Sequence, residues 1–329
     1  MPTISVEQNL IAKLLAKHKL EHNVAQIADE LPLLGTDIDR CDKQMLDIEI
    51  FPNRPDLLSG ETLTRAIRNF VHRQPAQPTI DTVPGKITLV VEPQLARIRP
   101  VILGAVVRNV DYNSMGITAD TFIKSLMDHQ EKLHFALGRG RKRASIGVHD
   151  LAKLSPPFFV KAVSGDTKFT PLAATKPMSI SQVLMEHPKG IDYAHLLEGF
   201  DQYPIIVDAG ENVLSFPPVI NGDHTTVTED TRDFFIDVTG WDARACESAL
   251  MLIALQLQEY GGVIETVEVT DCLGVKNTLP NGSGVQHELP TSMLKGLLGS
   301  ELSDDAVSVA INRMGGKFLS QDNDFITLE

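Results

Sequence analysis

The chain has 329 residues, 43% hydrophobic and 22% charged, enough to bury more than one core and too long for a single core to serve comfortably. Its 30 Lys and Arg stand against 43 Asp and Glu, a net charge of −13, which argues against nucleic-acid binding except where cations cluster, as in Arg139, Arg141, Lys142 and Arg143. No apolar run reaches the roughly 18 residues of a membrane span, residues 1–6 lack the features of a signal peptide, and Cys41, Cys246 and Cys272 form no CxxC. A soluble cytoplasmic chain with reduced thiols, no structural zinc and no membrane partner is therefore expected.

In chain order, Val6, Leu10, Ile11, Leu14 and Leu15 recur at helical spacing and Ser5 with Gln8 makes a capping-box pattern, so the sequence predicts a helix over 5–18. After a turn at Gly35 comes a strand over 45–51, ended by Pro52-Asn53-Arg54-Pro55-Asp56, a Pro-flanked turn whose side chains can bond their own backbone. Ser59 then caps a helix to about 72, and the Pro-, Gln- and Thr-rich segment 74–84 reads as a linker. Runs of β-branched residues predict strands at 87–91, 102–110, 145–148, 205–208, 234–238 and 263–269. Helices are expected at 118–133, 179–187 and 243–260, the last stopped by Gly261-Gly262. A second linker over 274–284 leads to helices at 291–298 and 304–314 and a hairpin turning at 321–323, a winged-helix-like piece. The fold class is α+β and multidomain: a small α/β amino-terminal domain, a central mixed β-sheet domain with flanking helices, and a partial winged-helix-like carboxy-terminal piece.

Generic chemical motifs are silent. No HExxH, P-loop, GxSxG or metal-spaced cysteine set occurs, and a lone histidine such as His149 reads as a hydrogen-bonded structural residue. Longer strings are more specific. Asn53-Arg54-Pro55-Asp56-Leu57-Leu58-Ser59, then Ser145-Ile146-Gly147-Val148-His149-Asp150, then Phe216-Pro217-Pro218-Val219-Ile220-Asn221-Gly222-Asp223-His224, and finally Thr231-Arg232-Asp233-Phe234-Phe235-Ile236-Asp237-Val238-Thr239-Gly240 follow one another in order. Together they resemble the β subunits of phenylalanyl-tRNA synthetases of the archaeal and eukaryotic type, over essentially the whole chain.

The resemblance implies an amino-terminal domain at 1–85, a tRNA-editing domain at 86–272 and, at 286–329, the start of a winged-helix-like domain that would continue in a longer subunit. In that family the α subunit, which uses ATP and Mg, makes and transfers the activated amino acid. The β subunit of the αβ heterotetramer contributes tRNA(Phe) contacts and hydrolyses Tyr-tRNA(Phe) made in error. No cofactor, metal or DNA is expected in this segment. Phe and Tyr differ by one hydroxyl, which an apolar synthetic pocket rejects poorly, so a second, polar sieve is useful. A buried carboxylate that accepts the phenolic hydrogen bond favours Tyr by on the order of 1–3 kcal/mol.

Asp237 stands where the family carries its acidic specificity residue and is expected to read that hydroxyl; the bland alternative is a strand-end Asp capping a turn. Pro217 and Pro218 stiffen a loop that could present the Ser215 hydroxyl and the Asn221 and Gly222 amides to an ester carbonyl, with Ser215 and Asn221 positioning substrate and water, or serving only as turn residues. Thr239 would share the Asp237 face of a strand, and Ile205 and Val207 would wall the ring or pack in the core. Arg139, Arg141, Lys142 and Arg143 are expected on tRNA phosphates, or as a solvated loop. At Thr226 the eukaryotic-type relatives carry an arginine, which a threonine cannot replace. A non-catalytic scaffold or tRNA-binding subunit, or a free-standing trans-editing paralogue, is the competing reading.

Overall fold

Alternation decides how the chain begins. Ile4 and Val6 are buried while Thr3, Ser5 and Glu7 are exposed, so Thr3–Glu7 is a strand paired antiparallel with Met45–Ile50, and the helix starts at Gln8 instead of Ser5. The expected capping box is not formed: Ser5 lies opposite Asp47 in the strand pair, and period-two burial outweighs the capping pattern. The computed structural model describes every residue except 1, 76, 301, 302 and 323. They divide into two units, Met1–Asp81 with Gly282–Glu329, and Thr82–Asn281.

In the first unit, Met45–Ile50 is the central strand between Thr3–Glu7 and Thr36–Cys41. The Pro-flanked turn is held by Arg54, whose guanidinium donates to the Leu34 carbonyl and to Asp56. Ser59 accepts from the Thr62 amide at 3.1 Å and starts the Gly60–Phe70 helix, as its capping chemistry requires. The segment after Gly282 contributes helices Thr291–Leu298 and Asp304–Arg313 and a sheet of His287–Pro290, Phe325–Leu328 and Phe318–Gln321. Asn323, at the expected hairpin turn, lies outside the described residues.

The second unit is built on a ten-stranded sheet, in the order Ile220–Asn221, Val213–Phe216, Tyr203–Val207, Phe158–Val163, Thr88–Val91, Val263–Thr270, Val101–Arg108, Phe234–Gly240 and Ala144–Asp150, with Lys276–Leu279 added to Val263–Thr270. That last strand occupies part of the expected 274–284 linker; Thr278 pairs with Glu268, which its polar sequence did not reveal. One face of the sheet is covered by helices Ala119–Phe135 and Ala243–Glu259. Phe122 packs edge-on to Phe234 and Tyr260 there. On the other face Phe235, Val106, Phe158, Val160, Ile206 and Leu214, drawn from strands across the sheet, share one buried cluster. The sheet therefore curls until its terminal strands approach: Asn221 Nδ2 on one lies 3.5 Å from the Val148 carbonyl on the other.

Between the two helices His129 is buried, with Nδ1 2.8 Å from Gln256 Oε1 and Nε2 unpartnered. Burial pushes it down from 6.5 to about 4, so the folded state holds it neutral where the unfolded chain is already protonated. The unfolded state then binds the extra proton as pH falls from 6.5 towards 4, and stability is lost in that window. We expect the unfolding free energy of the wild type to fall between pH 7 and pH 4 by about 3 kcal/mol more than that of His129→Asn. Denaturant midpoints at both pH values measure it, and equal losses in the two proteins would refute it.

Candidate functional site

Phe234–Gly240 runs between Val101–Arg108 and Ala144–Asp150, and its register puts Phe235, Asp237 and Thr239 on the inner face of the curled sheet. Asp237 lies opposite Gly104 on one side and Gly147 on the other. A Cβ at Gly147 would stand 2.0 Å from Asp237 Oδ2, so the glycine is what leaves room for the carboxylate. Asp237 is 1% exposed, and its Oδ2 is 2.7 Å from His149 Nε2. His149 is itself buried, and its Nδ1 is 2.8 Å from Thr225 Oγ1, which donates to the Gly222 carbonyl at 3.0 Å. Asp237, His149, Thr225 and Gly222 thus form one hydrogen-bonded chain from mid-sheet to the loop after Asn221. Asp237 Oδ1 accepts from no described residue. The paired oxygen fixes the carboxylate, and the unpaired one can accept a donor from a ligand.

A buried cation completes this face. Arg99 Nε donates to Thr239 Oγ1 at 2.6 Å, and Nη2 is shared among the Thr239 carbonyl at 2.7 Å, Ser145 Oγ at 3.0 Å and the Arg141 carbonyl at 3.0 Å. Burial pushes its guanidinium down to about 10, opposed by the nearby charge of Asp237, so it stays cationic near neutrality, while the buried Cys246 thiol, itself pushed up to about 12, is neutral there. No described carboxylate lies within ion-pair distance of it; Asp237 acts on it through space. Neither Arg99 nor His149 was singled out as functional from sequence. Arg99 sits between elements with no pattern around it. For His149 the signal was its place in the 145–150 string, beside Gly147.

Ser215 and Asn221 are not in a loop, as expected, but face each other across a strand pair, Val213–Phe216 with Ile220–Asn221, joined through Pro217 and Pro218. Ser215 Oγ is 3.4 Å from Asn221 Oδ1. Ser215 also lies opposite Ile206, so both polar side chains share the inner face with Asp237 and Thr239. Ile205 and Val207 do not. They alternate onto the outer face and pack with Ile180, Val183, Phe216 and Val219, a core position instead of the ring-facing wall. Gly222 is buried at the end of the hairpin, its amide donating to the Leu214 carbonyl at 2.7 Å. Thr226 Oγ1 bonds the Asp223 carbonyl at 2.5 Å, a local cap with no guanidinium-like reach.

The four cations divide. Arg141 is buried: Nη1 donates to the Pro218 and Val219 carbonyls at 3.2 and 2.9 Å, Nη2 meets Glu131 at 2.6 Å, and the guanidinium lies 4.2 Å over the Tyr193 ring. It clasps the proline hairpin from below, so it is not available to phosphates. Glu131 is held down at about 2, first by its hydrogen bond with His134 and then by Arg141. Arg143 is paired with Asp242. Arg139 and Lys142 are exposed.

Comparison with known proteins fits this geometry. Residues 102–256 match the B3/4 domain family. A phenylalanine–tRNA ligase β subunit from Methanosarcina barkeri is 42% identical over 324 residues, 98% of this chain and 57% of the relative; one from Methanococcoides burtonii is 42% identical over 88% of this chain and 52% of its own length. The chain spans about half the length of these curated relatives. An N-terminal fragment of the phenylalanyl-tRNA synthetase β subunit from Pyrococcus horikoshii superposes with a TM-score of 0.87 at 27% identity, covering 99% of this chain and 93% of that one. Similarity of this extent, running through the strings that carry Gly147, His149, Asn221 and Asp237, means that the chain belongs to the phenylalanine–tRNA ligase β-subunit family and matches its amino-terminal portion.

Proposed function

We propose that this chain is the editing part of a phenylalanine–tRNA ligase β subunit, which admits the aminoacylated 3′ end of tRNA(Phe) and hydrolyses the ester when the amino acid is tyrosine. The observation that carries this reading is Asp237, a carboxylate 1% exposed and between two glycines, with one oxygen tied to His149 and the other accepting from none of the described residues. A phenol can donate to that oxygen and a phenyl ring cannot, so Phe would leave it desolvated and unmatched. Thr239 and Arg99 would bound the polar end of the pocket, while Ser215 and Asn221, on the same inner face, would position the ester carbonyl and the attacking water. Water adds to the acyl carbon, the bond to the ribose oxygen breaks, and tyrosine and tRNA with a free terminal hydroxyl leave. Among the described residues no His–acid pair meets the Ser215 hydroxyl, so Ser215 would act as a positioning group. The editing domain spans 86–272, with the ATP-dependent synthesis assigned to an α subunit that this subunit joins in the cytoplasm.

Purified chain should cleave Tyr-tRNA(Phe) faster than buffer does, and Phe-tRNA(Phe) much more slowly. Equal rates for the two esters would remove Asp237 as a hydroxyl reader. Rates no better than buffer for either would leave a scaffold.

A further inference from the structure

The chain contains a single tryptophan, Trp241, and it is 48% exposed. An indole that could be core is instead placed on the surface, directly after the strand that carries Asp237 and Thr239. Its amide donates to the Arg143 carbonyl at 3.1 Å, which ties it to the turn 138–143. That turn is well fixed: Gly138 and Gly140 amides close the Ala119–Phe135 helix by donating to the Leu133 and His134 carbonyls, and Arg143 N returns to the Gly138 carbonyl at 2.8 Å. Arg139, Gly140 and Arg141 all have positive φ, a left-handed bend that holds Arg139 outward.

Around Trp241 the exposed cations are Arg139 and Lys142 on the turn and Arg244 in the first turn of the Ala243–Glu259 helix. None of the three forms an ion pair with a described residue, whereas of the carboxylates in the region Asp242 and Glu131 are each bound to an arginine and only Glu247, one turn beyond Arg244, is exposed without an ion pair among the described residues. The local excess is therefore cationic on a chain whose net charge is −13. Charges beyond roughly 10 Å are screened at ordinary ionic strength, so this patch rather than the total sets what docks here.

We infer that Trp241, Arg139, Lys142 and Arg244 form a docking face for a single-stranded RNA end, with the indole stacking on an unpaired base and the cations on its phosphates. A flat aromatic among unpaired cations is the combination that single strands use, because every base offers a π-face and every linkage a charge. The face sits two residues beyond Thr239, whose hydroxyl is held by the same Arg99 that bonds the Arg141 carbonyl in the turn. A nucleotide stacked on Trp241 would leave its ester-linked group beside the Asp237 face. Only that last identification, of the strand as the 3′ end of tRNA, rests on the function proposed above.

Because Trp241 is the only tryptophan, intrinsic fluorescence of the full chain reports on it alone. A short oligoribonucleotide ending in CCA should quench the emission saturably at low salt, with the effect fading as salt rises, and a blunt RNA duplex of equal length should quench far less. With a fluorescein-labelled oligonucleotide read by anisotropy, Trp241→Ala should weaken binding about tenfold or more while Trp241→Phe keeps most of it. Removing Arg139, Lys142 and Arg244 together should flatten the salt dependence. Absence of quenching, or unchanged binding by Trp241→Ala, overturns the inference. Quenching by an acidic peptide in place of RNA overturns it too, and gives the face to a protein. Tyr-ester hydrolysis without quenching sinks this inference and spares the proposed function; quenching without hydrolysis does the reverse.

Discussion

Asp237→Ala should abolish most of the preference for tyrosyl over phenylalanyl ester, lowering the ratio of the two kcat/KM values by about 10- to 150-fold, the worth of a hydrogen bond to a charged group. The loss should fall on Tyr-tRNA(Phe), since the phenyl ring never had a partner in Oδ1. Asp237→Asn separates charge from shape. Its amide can donate to His149 Nε2, keeping the buried chain through Thr225 and Gly222 intact, and its carbonyl oxygen remains as a neutral acceptor. Charge-assisted bonds are roughly twice as strong as neutral ones, so the asparagine should lie between wild type and alanine. Thermal melts of both variants accompany the kinetics. A ratio unchanged in both variants would refute the assignment, and a collapse of Asp237→Asn in the melt would make Asp237 a structural residue.

Local rules made much of the second unit legible. The strands at 102–110 and 234–238 and the helix at 243–260 announce themselves because β-branched runs and helical spacing are short-range signals. The same rules failed where partners decided. Ser5 and Gln8 offered a capping box, yet the pairing with Met45–Ile50 took the segment as a strand. Lys276–Leu279 is polar and became a strand because residues 267–270, past the stretch of Val263–Thr270 that pairs with Val101–Arg108, were left to pair with it. At the site, the inner-face grouping of Ser215, Asn221, Asp237 and Thr239 could not be read from order, because it comes from the curl that brings Ile220–Asn221 to Ala144–Asp150. The four clustered cations looked alike in sequence and differ by where the turn aims them: Arg141 inward under the proline hairpin, Arg139 and Lys142 outward.

Arg99→Met should be the more damaging change to the fold, lowering the unfolding free energy by about 2–4 kcal/mol as buried carbonyls lose their donor. Methionine fills similar volume but cannot donate, so the Arg141 carbonyl would lose its guanidinium donor and the Thr239 carbonyl would keep only a long bond from Ser145 Oγ at 3.5 Å, while the Ser145 and Thr239 hydroxyls would still have each other at 3.0 Å. Each orphaned buried acceptor costs about 1–3 kcal/mol, less what relaxation or an entering water recovers. Arg99→Lys keeps the charge, but a compact ammonium cannot span acceptors that Nε and Nη2 reach together, so it should recover only part of the loss. Urea midpoints at unchanged slope would measure both. Arg99 bonds Thr239 on the inner face that carries Asp237, and the Asp237 charge favours its cationic form, yet the two residues should separate experimentally. The acid has an oxygen left for a ligand, so its loss should appear in the choice of ester. The guanidinium holds the strand end to the turn, so its loss should appear in the melt before it appears in selectivity. If Arg99→Met were as stable as wild type, the four bonds would be replaceable by water, and the face would have to be more open than the burial of Arg99 allows.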